Sequence, residues 1–221
     1  LDPMYSKAAR QYGYDPAMAK KLLDEAGFSK MQGGFRISEA GERFSIEITT
    51  TAGNRVREQV AALVGARAAQ VVFTSGGTES SNLAIFGTAR LLREKGRHLI
   101  TSSIEHHAVL HCFNYLERHE GFTVTRLSAD ATGRVSVDDL RRALRPDTTL
   151  VSVMAANNET GTLQPVAELG ALCRARGIFF HTDAVQWFGK EPFADIHQFN
   201  ADLVSICAHK FHGPKGAGAL Y

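Results

Sequence analysis

From about residue 57 to Tyr221, short apolar runs alternate with amphipathic stretches, and this alternation restricts the fold more than any other property of the chain. The runs at 70–74, 98–102, 123–127, 149–155, 178–181 and 203–206 have the length and composition of strands. The stretches at 57–63, 80–94, 108–118, 137–143 and 166–176 have the period of helices. Strands that are apolar throughout, and separated by helices, predict an α/β fold: a mainly parallel sheet with helices on both faces. In such sheets ligands gather beyond the carboxyl ends of the strands. The chain's polar clusters fall at those ends.

The first part of the chain has a different texture. Asp15 and Pro16 suit the cap and first position of a helix over 17–26, with Met18, Leu22 and Leu23 on one face and Gly27 as its stop. Gly33-Gly34 predicts a turn, the alternation at 44–48 a half-buried strand, and 49–54 a loop.

Composition narrows the function classes. A chain of 221 residues, 44% hydrophobic and 22% charged, is ordinary for a soluble globular protein. A formal charge of +2 gives no reason to expect nucleic acid or an anionic membrane as partner. No stretch approaches the ~20 apolar residues of a membrane span. Cys112, Cys173 and Cys207 are odd in number and far apart, so they form neither a disulfide framework nor a CxxC metal site, and a cytoplasmic location is expected. Leu1-Asp2-Pro3 has neither an initiator methionine nor a signal pattern and reads as a cut end. His107 and His111 stand at the i,i+4 spacing of a zinc chelate, but no HExxH pattern or third ligand accompanies them. No metal is expected, and both count as ordinary helix residues.

Three segments carry chemistry. Thr74-Ser-Gly-Gly-Thr-Glu-Ser80 joins a strand to a helix, and the free amides at such a helix start suit a phosphate. A plain strand–helix turn would look the same. His181-Thr-Asp-Ala-Val-Gln186 puts Asp183 at a strand's end, where its carboxylate could pair with a protonated ring nitrogen and Gln186 could reach the same ligand; a capping aspartate beside a solvated glutamine is the competing reading. Ala208-His-Lys-Phe-His-Gly-Pro-Lys-Gly216 offers Lys210 and Lys215, either of which could act as an amine nucleophile or simply lie at the surface.

Phosphate cradle, then acid, then lysine is the order found in pyridoxal-phosphate (PLP) enzymes of the aspartate-aminotransferase fold. More narrowly, FTSGGTESSNLAI (73–85), SSIEHHAVL (102–110), NNETGTLQP (157–165), HTDAVQ (181–186) and AHKFHGPKGAGALY (208–221) resemble the cysteine desulfurases of the class V aminotransferase family. The resemblance covers residues 58–221 and implies the large domain of that fold, incomplete at both ends. It implies that Lys210 holds PLP covalently, that Asp183 pairs with the pyridine nitrogen, and that Gln186 and Asn158 bond near the phenolic oxygen. His106 would stack on the ring and relay protons, and Gly77, Thr78 and His209 would hold the phosphate. Where the family usually has a serine this chain has Cys207, a weaker donor to the phosphate.

The implied activity is desulfuration of L-cysteine to alanine, with a persulfide passed to an acceptor protein for iron–sulfur cluster assembly or tRNA thiolation. The family's small domain, substrate-carboxylate arginine and nucleophilic cysteine loop would lie beyond Tyr221, so the fragment is expected to be inactive, and the family's homodimer interface is expected to be damaged by the missing small domain and the altered N-terminus. Another class V PLP reaction, such as selenocysteine lysis, and a non-catalytic chimeric chain are the alternatives. Residues 1–57 instead resemble a segment of extracellular peptide-type solute-binding proteins, which makes the chain a fusion of two unrelated pieces; about 58 residues are too few for a two-lobed binding protein.

Overall fold

The structure, a computed structural model, describes residues 16–32, 35–39 and 55–221. The chain divides into two compact units, Leu1–Ala52 and Gly53–Tyr221. In the first, helix α1 (Pro16–Glu25) is followed by an antiparallel hairpin of β1 (Lys30–Gln32) and β2 (Phe35–Ile37), with Lys30 opposite Ile37. The helix stops where Gly27 takes a positive φ of 88° and Phe28 N donates back to Leu23 O at 2.9 Å, the closing bond of a glycine C-cap. The turn at 33–34, the strand at 44–48 and the loop at 49–54 lie outside the described residues.

The second unit opens with α2 (Arg55–Leu63) and a 3₁₀ turn (Ala68–Gln70), then β3 (Val72–Thr74), α3 (Gly77–Leu91), β4 (His98–Ser102) and α4 (His107–His119). After these come β5 (Thr123–Leu127), α5 (Val137–Ala143), β6 (Thr148–Ser152), α6 (Val166–Ala175), β7 (Phe179–Asp183), β8 (Leu203–Cys207) and β9 (Gly218–Leu220). Seven strands form one sheet in the order β3-β9-β8-β7-β6-β4-β5. Its pairs from β8 to β5 are parallel, and β9 runs antiparallel to both neighbours. The expected α/β fold with a mainly parallel sheet is therefore the observed one.

Alternation along the strands feeds two cores. Leu99 and Leu150 pack with Ile85 and Ala89 of α3 and Val109, Phe113 and Leu116 of α4. Ile100, Val151, Phe180 and Val204 belong to the larger cluster with Leu140 of α5 and Leu169 and Cys173 of α6. Helices thus cover both faces, and the central strands β4 and β6 are buried along their whole length.

Several boundaries differ from the sequence expectation, the strand expected at 149–155 ending already at Ser152 among them. The strand expected at 70–74 starts at Val72, because the Arg67 amide donates to Gln70 Oε1 at 3.0 Å and closes a 3₁₀ turn ahead of it. The helix expected from residue 80 starts at Gly77, where Glu79 reaches back to the Ser75 amide at 2.6 Å and steadies the first turn. Strand β9 is not among the runs the sequence predicts as strands. Gly218 makes it possible: a Cβ there would stand 2.6 Å from Gly76 Cα.

Between β4 and β6 the chain order reverses, since β5 lies on one side of β4 while β6, β7 and β8 follow on the other. Loops leaving these two strands part from each other and open a crevice at the carboxyl edge.

Candidate active site

A cavity of about 340 Å³ occupies that edge. All nine residues singled out from the sequence line it: Gly77 and Thr78 from the start of α3, His106 from the turn after β4, and Asn158 from the loop after β6. Asp183 and Gln186 come from the end of β7 and the turn beyond it, and Cys207, His209 and Lys210 from the end of β8 and the 3₁₀ turn Ala208–Phe211. Met154, Ala156, Val185 and Ala108 complete the lining.

Helix α3 begins over the cavity with no side-chain cap, so the amides of its first turn have no partner within the helix. Hydroxyl contacts fix it there. Ser81 Oγ donates to Ser205 Oγ at 3.2 Å and Ser80 Oγ to Ala219 O at 3.1 Å. Ser205 in turn contacts His181 Nε2 at 2.9 Å, and His181 Nδ1 contacts Ser152 Oγ at 2.8 Å, so one buried imidazole ties β6, β7 and β8 to the helix. Burial pushes His181 down to about 3. At Gly77 a Cβ would come within 2.6 Å of Val185 Cγ2. Glycine lets the backbone approach there.

Asp183 is buried, and its Oδ1 accepts from Val185 N at 3.0 Å. Both readings of this residue hold together: it caps the turn and it lines the cavity. Burial pushes its carboxyl above the usual aspartate range, while the Val185 amide and the nearby His106 pull it down. A cation placed in the cavity would hold it ionised. Gln186 sits in a turn, and its Oε1 accepts from Lys190 Nζ at 2.5 Å, which leaves the amide nitrogen for the cavity.

His106 is the N-cap of α4, its Nδ1 accepting from Ala108 N at 3.1 Å, so Nε2 is the nitrogen left to carry a proton. The two asparagines after β6 divide their work. Asn157 holds the loop, with Oδ1 accepting from the amides of Glu159 and Thr160 at 2.9 Å each, while exposed Asn158 lines the cavity.

Lys210 is exposed on its turn and lines the cavity, whereas Lys215 is not among the lining residues. The turn is held by Phe211, which packs on Phe188 at 5.4 Å between ring centroids. Cys207 Sγ lies 3.0 Å from His209 Nδ1. His107 and His111 have ring centroids 5.4 Å apart, and no cluster of three metal-ligating groups occurs among the described residues. Sequence reasoning passed over Glu105, Met154 and Val185; a glutamate beside His106 was the available signal for the first.

The residues fit PLP. An uncapped helix start with a glycine that cannot carry a Cβ can take a phosphate, a buried carboxylate can take a ring N–H, and a lysine stands on the same wall.

Comparison with known proteins agrees. The family described as Aminotransferase class-V matches residues 36–221. The cysteine desulfurase IscS of Dictyoglomus turgidum is 51% identical over 173 residues, 78% of this chain and 43% of the relative. That of Glaesserella parasuis is 46% identical over 220 residues, 99% of this chain and 53% of the relative. Among solved structures, "SspA in complex with cysteine" superposes with a TM-score of 0.70 at 45% identity, covering 75% of this chain and 47% of that one. DndA from Streptomyces lividans gives 0.69 at 46% identity, covering 75% and 46%. The chain thus spans about half the length of these relatives. The class V match also takes in residues 36–57, so over that stretch the resemblance to solute-binding proteins is without support. With the sheet, the cavity and the matched length in agreement, the chain belongs to the class V aminotransferase family.

Proposed function

We propose that this chain is the cofactor-holding part of a PLP-dependent cysteine desulfurase. One observation carries the reading: residues from four strand ends and a helix start, far apart in sequence, converge on a single cavity at the sheet's switch point. Lys210 holds the cofactor through its amine, Asp183 pairs with the ring nitrogen, and Gln186 and Asn158 donate near the ring's phenolic oxygen. The first turn of α3, Thr78 and His209 hold the phosphate. When bound, PLP supplies an electron sink for charge developing at the substrate α-carbon. His106 would stack on the bound ring and relay protons through Nε2, its own ring being fixed by the bond that Nδ1 accepts from Ala108 N. L-cysteine is the substrate of this reading, and a sulfur-acceptor protein and a second copy of the chain are its partners.

The attacking thiol is assigned to none of the described cysteines. Burial pushes Cys112 up to about 11 and Cys173 up to about 12, and neither lines the cavity. Cys207 stands at the phosphate side. All three are free thiols, as a reducing cytoplasm would keep them, and no described helix is long and apolar enough to cross a membrane. The division into a 1–57 segment and a 58–221 segment is supported by the unit boundary at Ala52/Gly53, while the alignment to the G. parasuis relative favours one continuous family chain.

The test is to load the chain with PLP, dialyse it, and add L-cysteine. A change in the visible band with L-cysteine but not D-cysteine is expected. An unchanged band would remove the substrate assignment.

A further inference from the structure

Beneath the cavity, outside its lining, lies a second carboxyl. Glu105 directly precedes His106 and is only 5% exposed. Its Oε1 accepts from Ser102 Oγ at 2.5 Å, at the end of β4, and from Met154 N at 2.9 Å, just past the end of β6. Its Oε2 is buried with no hydrogen-bond partner. The neighbouring Asn157 Nδ2 donates to Ile104 O at 2.9 Å, so two side chains fasten the turn before His106 across the crevice to the β6 side.

We infer that Glu105 is a positioning residue: it locks the turn that presents His106, and it does so as a neutral acid with its proton on Oε2. The inference rests on the PLP reading of the same cavity. An ionised carboxylate would leave a bare charged oxygen in the interior, far costlier than a bare hydroxyl. Oε1 already takes both available donors, so the proton belongs on Oε2. Burial pushes the Glu105 carboxyl up to about 8, against the Ser102 and Met154 bonds, and the charge of Asp183 on the neighbouring β7 adds a smaller push in the same direction. A neutral Glu105 would also leave Asp183 as the carboxylate available to pair with the ring N–H of a bound cofactor. Two ionised carboxylates there would repel each other, which favours holding one of them protonated.

The experiment compares Glu105→Gln, Glu105→Ala, His106→Ala and the Glu105→Ala/His106→Ala double variant by PLP titration of the full chain. Glutamine can accept the same two bonds through its oxygen, so Glu105→Gln should bind PLP within about threefold of wild type, while Glu105→Ala should bind about tenfold more weakly. Acting through His106, the alanine change should add less than about twofold to the loss in His106→Ala. Full additivity, or a glutamine variant as impaired as the alanine one, overturns the inference.

A second readout needs no cofactor. A carboxyl raised from 4.5 to about 8 contributes stability that is complete below about 4.5 and lost as pH rises through about 8. Melting of the cofactor-free chain should therefore show Glu105→Gln gaining on wild type between about pH 5 and pH 8.5. A pH-independent difference overturns the neutral-acid assignment, even if Glu105→Ala does not fold. Failure of wild type to take PLP would count against the functional reading, and the melts would still decide this one.

Discussion

Cys207 Sγ lies 3.0 Å from His209 Nδ1, which makes the last residue of β8 and the second residue of the lysine turn a hydrogen-bonded pair on the cavity wall. A hydroxyl in place of the thiol would be a stronger donor to both the imidazole and a phosphate. Cys207→Ser should therefore tighten PLP binding by about 1 kcal/mol, roughly fivefold. A fluorescence titration reads this directly, and equal or weaker binding would show that Cys207 does not face the phosphate.

Gly77 tests the helix start. Its Cβ would meet Val185 Cγ2 at 2.6 Å and Cys207 Cβ at 3.6 Å, so Gly77→Ala must shift either the first turn of α3 or the Val185 side chain. The expected cost is about 1–3 kcal/mol in stability, with a loss of PLP affinity of at least about tenfold as the first-turn amides move. Urea unfolding beside a PLP titration separates the two effects. Unchanged affinity would mean the helix start does not hold the cofactor.

The sheet and the site were legible in the sequence to different depths. Strands at 98–102 and 123–127 were found to the residue, because both ends carry polar or turn residues. β9 was hidden, since Gly218-Ala-Leu220 has neither length nor alternation and pairs only because neighbouring strands present open edges to it. The nine site residues were legible through family words. Their gathering at the carboxyl edge was legible too, but which strands are neighbours was not, because strand order is set by packing rather than by local pattern. Asp183 shows why single-residue readings stay ambiguous: the cap to Val185 and the cavity wall are the same side chain. Glu105 went unnoticed because its partners, Ser102 Oγ and the Met154 amide, are ordinary until the fold brings them together.

His181 makes an acid-side prediction. Its pKa is pushed from 6.5 down to about 3, so between these values the unfolded chain binds more protons than the folded one. The stability that depends on neutral His181 is complete above about pH 6.5 and falls as pH drops toward about 3, opposite in sign to the effect of Glu105. His181→Asn should lose about 1–3 kcal/mol at neutral pH from the broken contacts to Ser152 and Ser205, and its melts should fall less between pH 6.5 and 5. A parallel fall in both proteins would contradict a neutral, buried His181.

Catalysis by the 221-residue polypeptide alone is expected to be negligible, since Cys112 and Cys173 are buried outside the cavity lining and Cys207, itself buried, is proposed to face the phosphate. A sulfide assay with dithiothreitol and excess PLP should give the same low rate for wild type and Cys207→Ser. Turnover lost in Cys207→Ser would make Cys207 the nucleophile.

The most direct measurement concerns Lys210. PLP added to the chain should give a visible-edge absorption band that borohydride fixes covalently, and peptide mapping should place the reduced adduct on Lys210. Lys210→Ala should abolish the band and leave Lys215 unlabelled. An adduct on Lys215, or a band that persists in Lys210→Ala, would contradict the assignment of this cavity as the PLP site.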